Sequence, residues 1–171
     1  MGADPDLTEE GVNQAHQAGS LLKESNINFD FMVISNLTRT NYTADIINQH
    51  LNIDKIYYDN DVRERGSLYF GIKYFNKAGI LKNDHEVFIA GDEDYNTMFT
   101  PRIANVLCKY LTMPEPSGLV VAHGRAGEAA STYFLGTNIS LSNCDFFTLD
   151  PQQILNFADK CGIIQNECFI D

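Results

Sequence analysis

Positive charge is scarce in this chain: 12 Lys and Arg stand against 23 Asp and Glu, a formal net charge of -11 over 171 residues. Nucleic acid and anionic lipid both demand a basic face, so neither is expected as the main partner. Long apolar runs are missing as well. None approaches the ~20 residues needed to cross a bilayer, and the first residues are not a basic-plus-apolar leader, so a soluble, cytoplasmic protein is expected. Cys108, Cys144, Cys161 and Cys168 lack C-x-x-C spacing. An α/β domain of this length needs no staples, and four reduced thiols are expected. The acidic cluster Asp92-Glu93-Asp94 has no His or Cys beside it, so it reads as a solvated loop rather than a cation site, and neither metal nor cofactor is expected. There is no repeat and no low-complexity segment, which leaves a single domain over residues 1–171.

What is present is a change of period within one short stretch. Phe31 to Ile34 is a β-prone apolar run, Ser35-Asn36 punctuates it, and Ala44, Ile46, Ile47 and Leu51 follow at helical spacing. Upstream, Thr8 caps a helix whose inward stripe is Ala18, Leu21 and Leu22. Downstream, Ile56 to Tyr58 reads as a short strand, Asp59 to Gly66 as a polar loop, and Ser67 to Lys82 as an aromatic-rich excursion. Asn96 to Leu111 predicts a helix with Met98, Ile103, Val106, Leu107 and Leu111 inward, where Pro101 either kinks it or marks its true first turn. Leu119 to Ala122 is the clearest buried strand. A helix is expected from near Ala126 to Leu135, a strand over Asn143 to Leu149, and a last helix from Pro151. Strands alternating with helices predict a three-layer α/β/α architecture with a mainly parallel central sheet.

Open α/β sheets place ligands beyond the carboxyl ends of their strands. Arg39 sits there at a helix start, where free N–H groups and the helix dipole favour an anion and a guanidinium fork suits two phosphate oxygens. The plainer reading is an exposed Arg paired with Asp45 or Glu9. Glu64 and His123 also fall at or near strand ends, so the three could converge although far apart in sequence. Taken singly, such a His is more often structural and such a Glu more often a solvated partner of Arg63 or Arg65. Only five arginines are available to build an anion pocket: Arg39, Arg63, Arg65, Arg102 and Arg125.

Five stretches in order resemble the histidine phosphatase superfamily, also called phosphoglycerate mutase-like. Asp4-Pro-Asp-Leu-Thr-Glu-Glu-Gly11 with Gln14-Ala15 is similar to the family's D-x-x-L-T-x-x-G-x-x-Q-A. Ser35-Asn-Leu-Thr-Arg39-Thr with Thr43-Ala44 is similar to S-x-L-x-R-A-x-x-T-A. Val62-Arg-Glu64-Arg65 with Gly71 looks like L-x-E-R…G, Gly91-Asp-Glu-Asp94 like a weakened G-E-S, and Val120-Val-Ala-His123-Gly124 like V-V-x-H-G. The resemblance implies a pocket in which one histidine is transiently phosphorylated while arginines and a second histidine hold the phosphoryl oxygens. By that resemblance Arg39 is a phosphate clamp, His123 the second histidine and Glu64 the proton donor. The implied ligand is a phosphorylated small molecule or phosphopeptide, and phosphomonoester hydrolysis is the implied ancestral reaction.

Family members carry a strand ending in R-H-G, whose histidine is the nucleophile and which lies in the middle of the sheet. These 171 residues contain no such segment, and relative to the family the domain is incomplete at its N-terminal side. His16 and His50 fall within helices and His85 in a loop, so none replaces it. The expectation is a chain that does not form the phosphoenzyme as written and would act as a phosphatase only with that segment supplied. Three alternatives stand: upstream residues are missing, a rearranged element such as the Ile163 to Ile170 tail fills the gap, or the sheet is split. The last makes the protein a pseudoenzyme, a binding or scaffolding module whose acidic surface suits a basic protein partner; homo-oligomerisation is also left open.

Overall fold

The computed structural model describes residues 6–65 and 94–167, with side chains through 162. Helix α1, Glu9–Glu24, starts at Thr8, whose side-chain oxygen accepts from the Gly11 N–H at 3.1 Å. Strand β1, Phe31–Ile34, leads into α2, Thr38–Leu51, which ends where Asn52 takes a left-handed conformation. Strand β2, Ile56–Tyr58, is followed by a 3-10 turn at Asn60–Val62. A π turn at Tyr95–Phe99 runs into α3, Thr100–Leu111, then come β3, Gly118–Val121, and α4, Gly124–Leu135. The last helix, α5, spans Phe157–Glu167.

The sheet is parallel with order β2-β1-β3. Alternation along β1 sends Phe31 and Val33 into a core with α3, α4 and α5, and Met32 and Ile34 into a second core with α1 and α2. These two cores separate the three layers. On the α1/α2 side the helices approach closely at Gly19, where an added Cβ would lie 2.6 Å from the His50 ring.

Of the two readings of Pro101, the structure has it marking the first turn of α3. Other expectations need correction: Met98, in the π turn before that helix, is 49% exposed, and Leu21 faces outward at 55%. The last helix starts at Phe157 rather than Pro151, after a series of turns. Strand β3 is less covered than its apolar run implies: Gly118 is exposed and only Val121 is buried. The reason is its position. Ser117 and Val121 turn their carbonyls to β1, accepting from Asp30 and Ser35, so Gly118, Val120 and Ala122 aim their backbone groups the other way. No strand among the described residues lies there. Asn143 to Leu149 forms no strand either: it opens on a turn at Asn143-Cys144, with Cys144 in the left-handed region at φ 62°. It straddles both layers, Cys144 packing on the α1/α2 core and Phe147 and Leu149 on the other.

The thiols differ too. Cys108 on α3 and Cys161 on α5 form a disulfide, with Cα atoms 5.5 Å apart, and Cys144 is free. Helix docking brought the two within bridging range, which sequence spacing does not reveal. Cys168, the Ser67 to Lys82 excursion, the loop with His85, and Gly71, Asp92 and Glu93 lie outside the described residues.

Candidate functional site

Ser35 follows the last residue of β1 and is fully buried, its N–H donating to the Val121 carbonyl at 3.1 Å. Two residues later Leu37 precedes the first turn of α2 with no side-chain cap of its own. Thr40 fastens the turn, its hydroxyl donating to the carbonyls of Ser35 at 2.9 Å and Leu37 at 2.7 Å. Arg39 leaves this turn and its Nη2 lies 3.1 Å from Nδ1 of His123, 84 residues away.

His123 follows β3 and is the residue before the first turn of α4. A guanidinium has donors only, so Nδ1 accepts from Arg39 and the ring proton sits on Nε2. That Nε2–H donates to Ser35 Oγ at 2.9 Å. Burial, then the charges of Arg39 and Arg102, push the imidazole pKa down to about 3. At neutral pH it is uncharged and fixed in one tautomer.

Glu64 comes from the loop after β2, which several contacts hold in place. Asp59 accepts from the Tyr110 hydroxyl at 2.8 Å and from Lys109 Nζ at 3.0 Å, while Val62 is buried in the α3/α4 core. Arg102 on α3 donates to the Asp61 carbonyl at 2.6 Å and the Arg63 carbonyl at 3.3 Å. The Glu64 carboxyl accepts from the Arg65 N–H at 2.8 Å. Burial is the largest influence on it and raises its pKa, against the opposing pull of Arg39, Arg125 and the Arg125 backbone N–H. A carboxyl taken out of water holds its proton longer, the property a general acid requires.

Arg39 therefore contacts His123 directly and acts on the Glu64 carboxyl through its charge. Sequence reading assigned no role to Ser35, although it lies inside the S-x-L-x-R stretch, nor to Arg102 or Arg125 beyond counting them among the arginines. Among the described residues there is no group of three or more His, Cys, Asp or Glu able to hold a metal. Asp94 Oδ1 is engaged by the N–H groups of Asn96 at 3.0 Å and Thr97 at 2.8 Å. No helix among the described residues is long and apolar enough to cross a membrane.

Comparison with known proteins gives the same family along most of the chain. A family model described as histidine phosphatase superfamily (branch 1) matches residues 1–155. Over 138 residues the chain is 30% identical to a 2,3-bisphosphoglycerate-dependent phosphoglycerate mutase of Streptococcus mutans, covering 72% of this chain and 59% of that protein. It is 50% identical over 44 residues to the enzyme of the same name from Xanthobacter autotrophicus, 26% of this chain and 21% of the relative. The chain thus spans less than two thirds of these relatives' length. Among solved structures, a mycobacterial glucosyl-3-phosphoglycerate phosphatase superposes with a TM-score of 0.56 at 20% identity, covering 78% of this chain and 69% of that one. A phosphoserine phosphatase from Entamoeba histolytica gives 0.53 at 20% identity, covering 82% and 76%. At such identities the structural likeness speaks for the fold alone.

Proposed function

This chain belongs to the histidine phosphatase superfamily, and on that premise we propose that Arg39, His123 and Glu64 form a pocket for the phosphate of a phosphorylated small molecule or phosphopeptide. The observation that carries this reading is the 3.1 Å approach of Arg39 to His123, with the half-buried Glu64 carboxyl within reach of the Arg39 and Arg125 charges. Two phosphoryl oxygens would engage the Arg39 fork. The His123 Nε2–H would turn from Ser35 Oγ to a third oxygen, and Glu64 would protonate the bridging oxygen as the P–O bond breaks and later take a proton from water.

That chemistry requires an imidazole to attack phosphorus, and none of the described histidines is placed for it. Both nitrogens of His123 are engaged, and His16 Nδ1 faces His50 Nε2 at 3.1 Å across the α1/α2 contact. As it stands, the described pocket is a binding site, and turnover is expected when a nucleophilic histidine is supplied from upstream. This same observation favours a second reading, a pseudoenzyme that binds without turnover and offers its acidic surface to a basic protein partner. Hydrolysis is preferred to mutase chemistry because no Arg-Arg pair or basic lid follows Glu64 to hold a second charged group.

Calorimetry with inorganic phosphate tests the pocket: Arg39→Ala should weaken binding about 100-fold, the scale of a charge-assisted pair. Unchanged affinity would remove the assignment. A p-nitrophenyl phosphate assay on this chain and on one extended upstream by an in-frame R-H-G separates the two readings. Turnover only with the extension supports the enzyme, and none in either supports the binder.

A further inference from the structure

Ser35 and His123 stand side by side just past the ends of two paired strands. Ile34 and Val121 are register partners, and the Ser35 N–H donates to the Val121 carbonyl at 3.1 Å, so the sheet itself fixes the spacing of the two residues. Ser35 has no freedom to approach a ligand. It is fully buried, its N–H is held by β3, and its carbonyl accepts from the Thr40 hydroxyl at 2.9 Å. His123 is only half-buried, and its ring can turn about side-chain torsions without any change of backbone. Between the two, movement belongs to the imidazole.

The protons of the pair decide what that movement must do. A guanidinium carries five N–H donors, so the bond from Arg39 Nη2 to Nδ1 at 3.1 Å spends one of them. A neutral imidazole carries a single N–H. Because Nδ1 accepts from Arg39, that proton is on Nε2, and it is already given to Ser35 Oγ at 2.9 Å. Burial, with the charges of Arg39 and Arg102, keeps a second proton off the ring at neutral pH. In the free protein the one proton His123 has to offer is therefore spent on a hydroxyl at the bottom of the site.

We propose that Ser35 is the resting partner of His123: its hydroxyl holds the imidazole N–H in the free protein, competes with phosphate for it, and releases it when phosphate binds. The proposal rests on the phosphate reading of the pocket. Ser35 is thus a positioning residue, acting through the imidazole without touching the ligand. It keeps the ring in one tautomer and one orientation, and it lowers affinity, because binding then trades one hydrogen bond for another. Such a trade yields less than a new bond would, by about the net worth of the bond given up.

The test is calorimetry with inorganic phosphate on Ser35→Ala. Removing the competing hydroxyl should tighten phosphate binding about fivefold, the scale of one hydrogen bond, while lowering the melting temperature, because the free protein has lost that bond. A residue that served stability alone would lower the melting temperature with no gain in affinity. In a His123→Ala background the same substitution should change affinity by less than about twofold, since its effect passes through the imidazole. On the parent itself, phosphate titration followed by long-range proton–nitrogen NMR should shift the His123 Nε2–H resonance while the proton stays on Nε2, a measurement that needs no variant to fold. Unchanged or weaker binding by Ser35→Ala overturns the proposal. So does an equal gain in the absence of His123, or an Nε2–H signal that bound phosphate leaves in place. Arg39→Ala run beside it distinguishes the two levels: it must weaken phosphate binding. If it does not, the pocket reading falls, whereas if it does and Ser35→Ala binds no more tightly, only the role of Ser35 falls.

Discussion

Strands β1 and β3 lie side by side and each delivers part of the candidate site, but they stand on unequal footing. All of β1 is buried and it pairs with β2 on one side and β3 on the other. β3 is paired to β1 alone among the described residues, and its coverage falls from buried Val121 to exposed Gly118. Ser35 and Arg39 follow the first strand, His123 the second. The arginine half of the candidate site thus rests on a strand paired on both sides. The histidine half rests on a strand paired on one side alone among the described residues, and its position is held by the side-chain bonds to Arg39 and Ser35.

The strongest way to disturb this inequality is to loosen the layer behind β3. The Cys108–Cys161 bond closes a loop with a sequence separation of 53, for which chain entropy gives up to about 4 kcal/mol of stabilisation. Urea denaturation with and without dithiothreitol should show a loss on that scale, matched by Cys161→Ser. An unchanged midpoint with all thiols titrating free would mean that the helices α3 and α5 hold each other without it.

Met32 and Leu119 sharpen the comparison directly. They are register partners and face the same core, yet Met32 is fully buried and Leu119 only partly so. Met32→Ala should lose about 3 kcal/mol and Leu119→Ala about half that, since the cavity term needs a closed site. Equal losses would show that β3 is as well covered as its neighbour.

The smallest effect is a pH dependence that belongs to the β3 half. An unfolded histidine titrates near ~6.5, whereas His123 is held down to about 3 by burial and then by Arg39 and Arg102. The unfolded chain therefore takes up the proton first. The His123 contribution is whole above pH ~6.5 and drains away as pH falls towards 3. Glu64 has the opposite sign: its raised pKa, chiefly from burial, gives a contribution present below the ordinary carboxyl range near ~4.3 and lost as pH rises through its folded value. Denaturation midpoints between pH 7 and 5 should thus fall on acidification, and His123→Gln should flatten the slope. A slope that survives the substitution would assign it to other groups.

Much of the architecture was legible because it depends on local pattern. Period two over Phe31 to Ile34, period 3.6 from Thr38 onward, and the cap at Thr8 are properties of neighbouring residues, and the elements appear where those patterns place them. Errors gathered where a second segment decides the outcome. Asn143 to Leu149 has the apolar content of a strand but opens on a turn, and Leu119 to Ala122 has the run of a buried strand but pairs on one side alone among the described residues. Cys108 and Cys161 meet only because α5 docks on α3.

The same division holds for the site. Arg39, Glu64 and His123 stood out by their places near strand ends and their motifs, but Ser35 and Arg102 acquire meaning only from what surrounds them. By itself the sequence determined the start of α1 at Thr8 and the passage from β1 to α2, since hydrogen bonds and side-chain spacing within a helix or strand are set by adjacent residues. Tertiary structure decided that an arginine meets an imidazole 84 residues away and that the imidazole is neutral. Those are consequences of burial and distance, and neither quantity exists until the chain has packed.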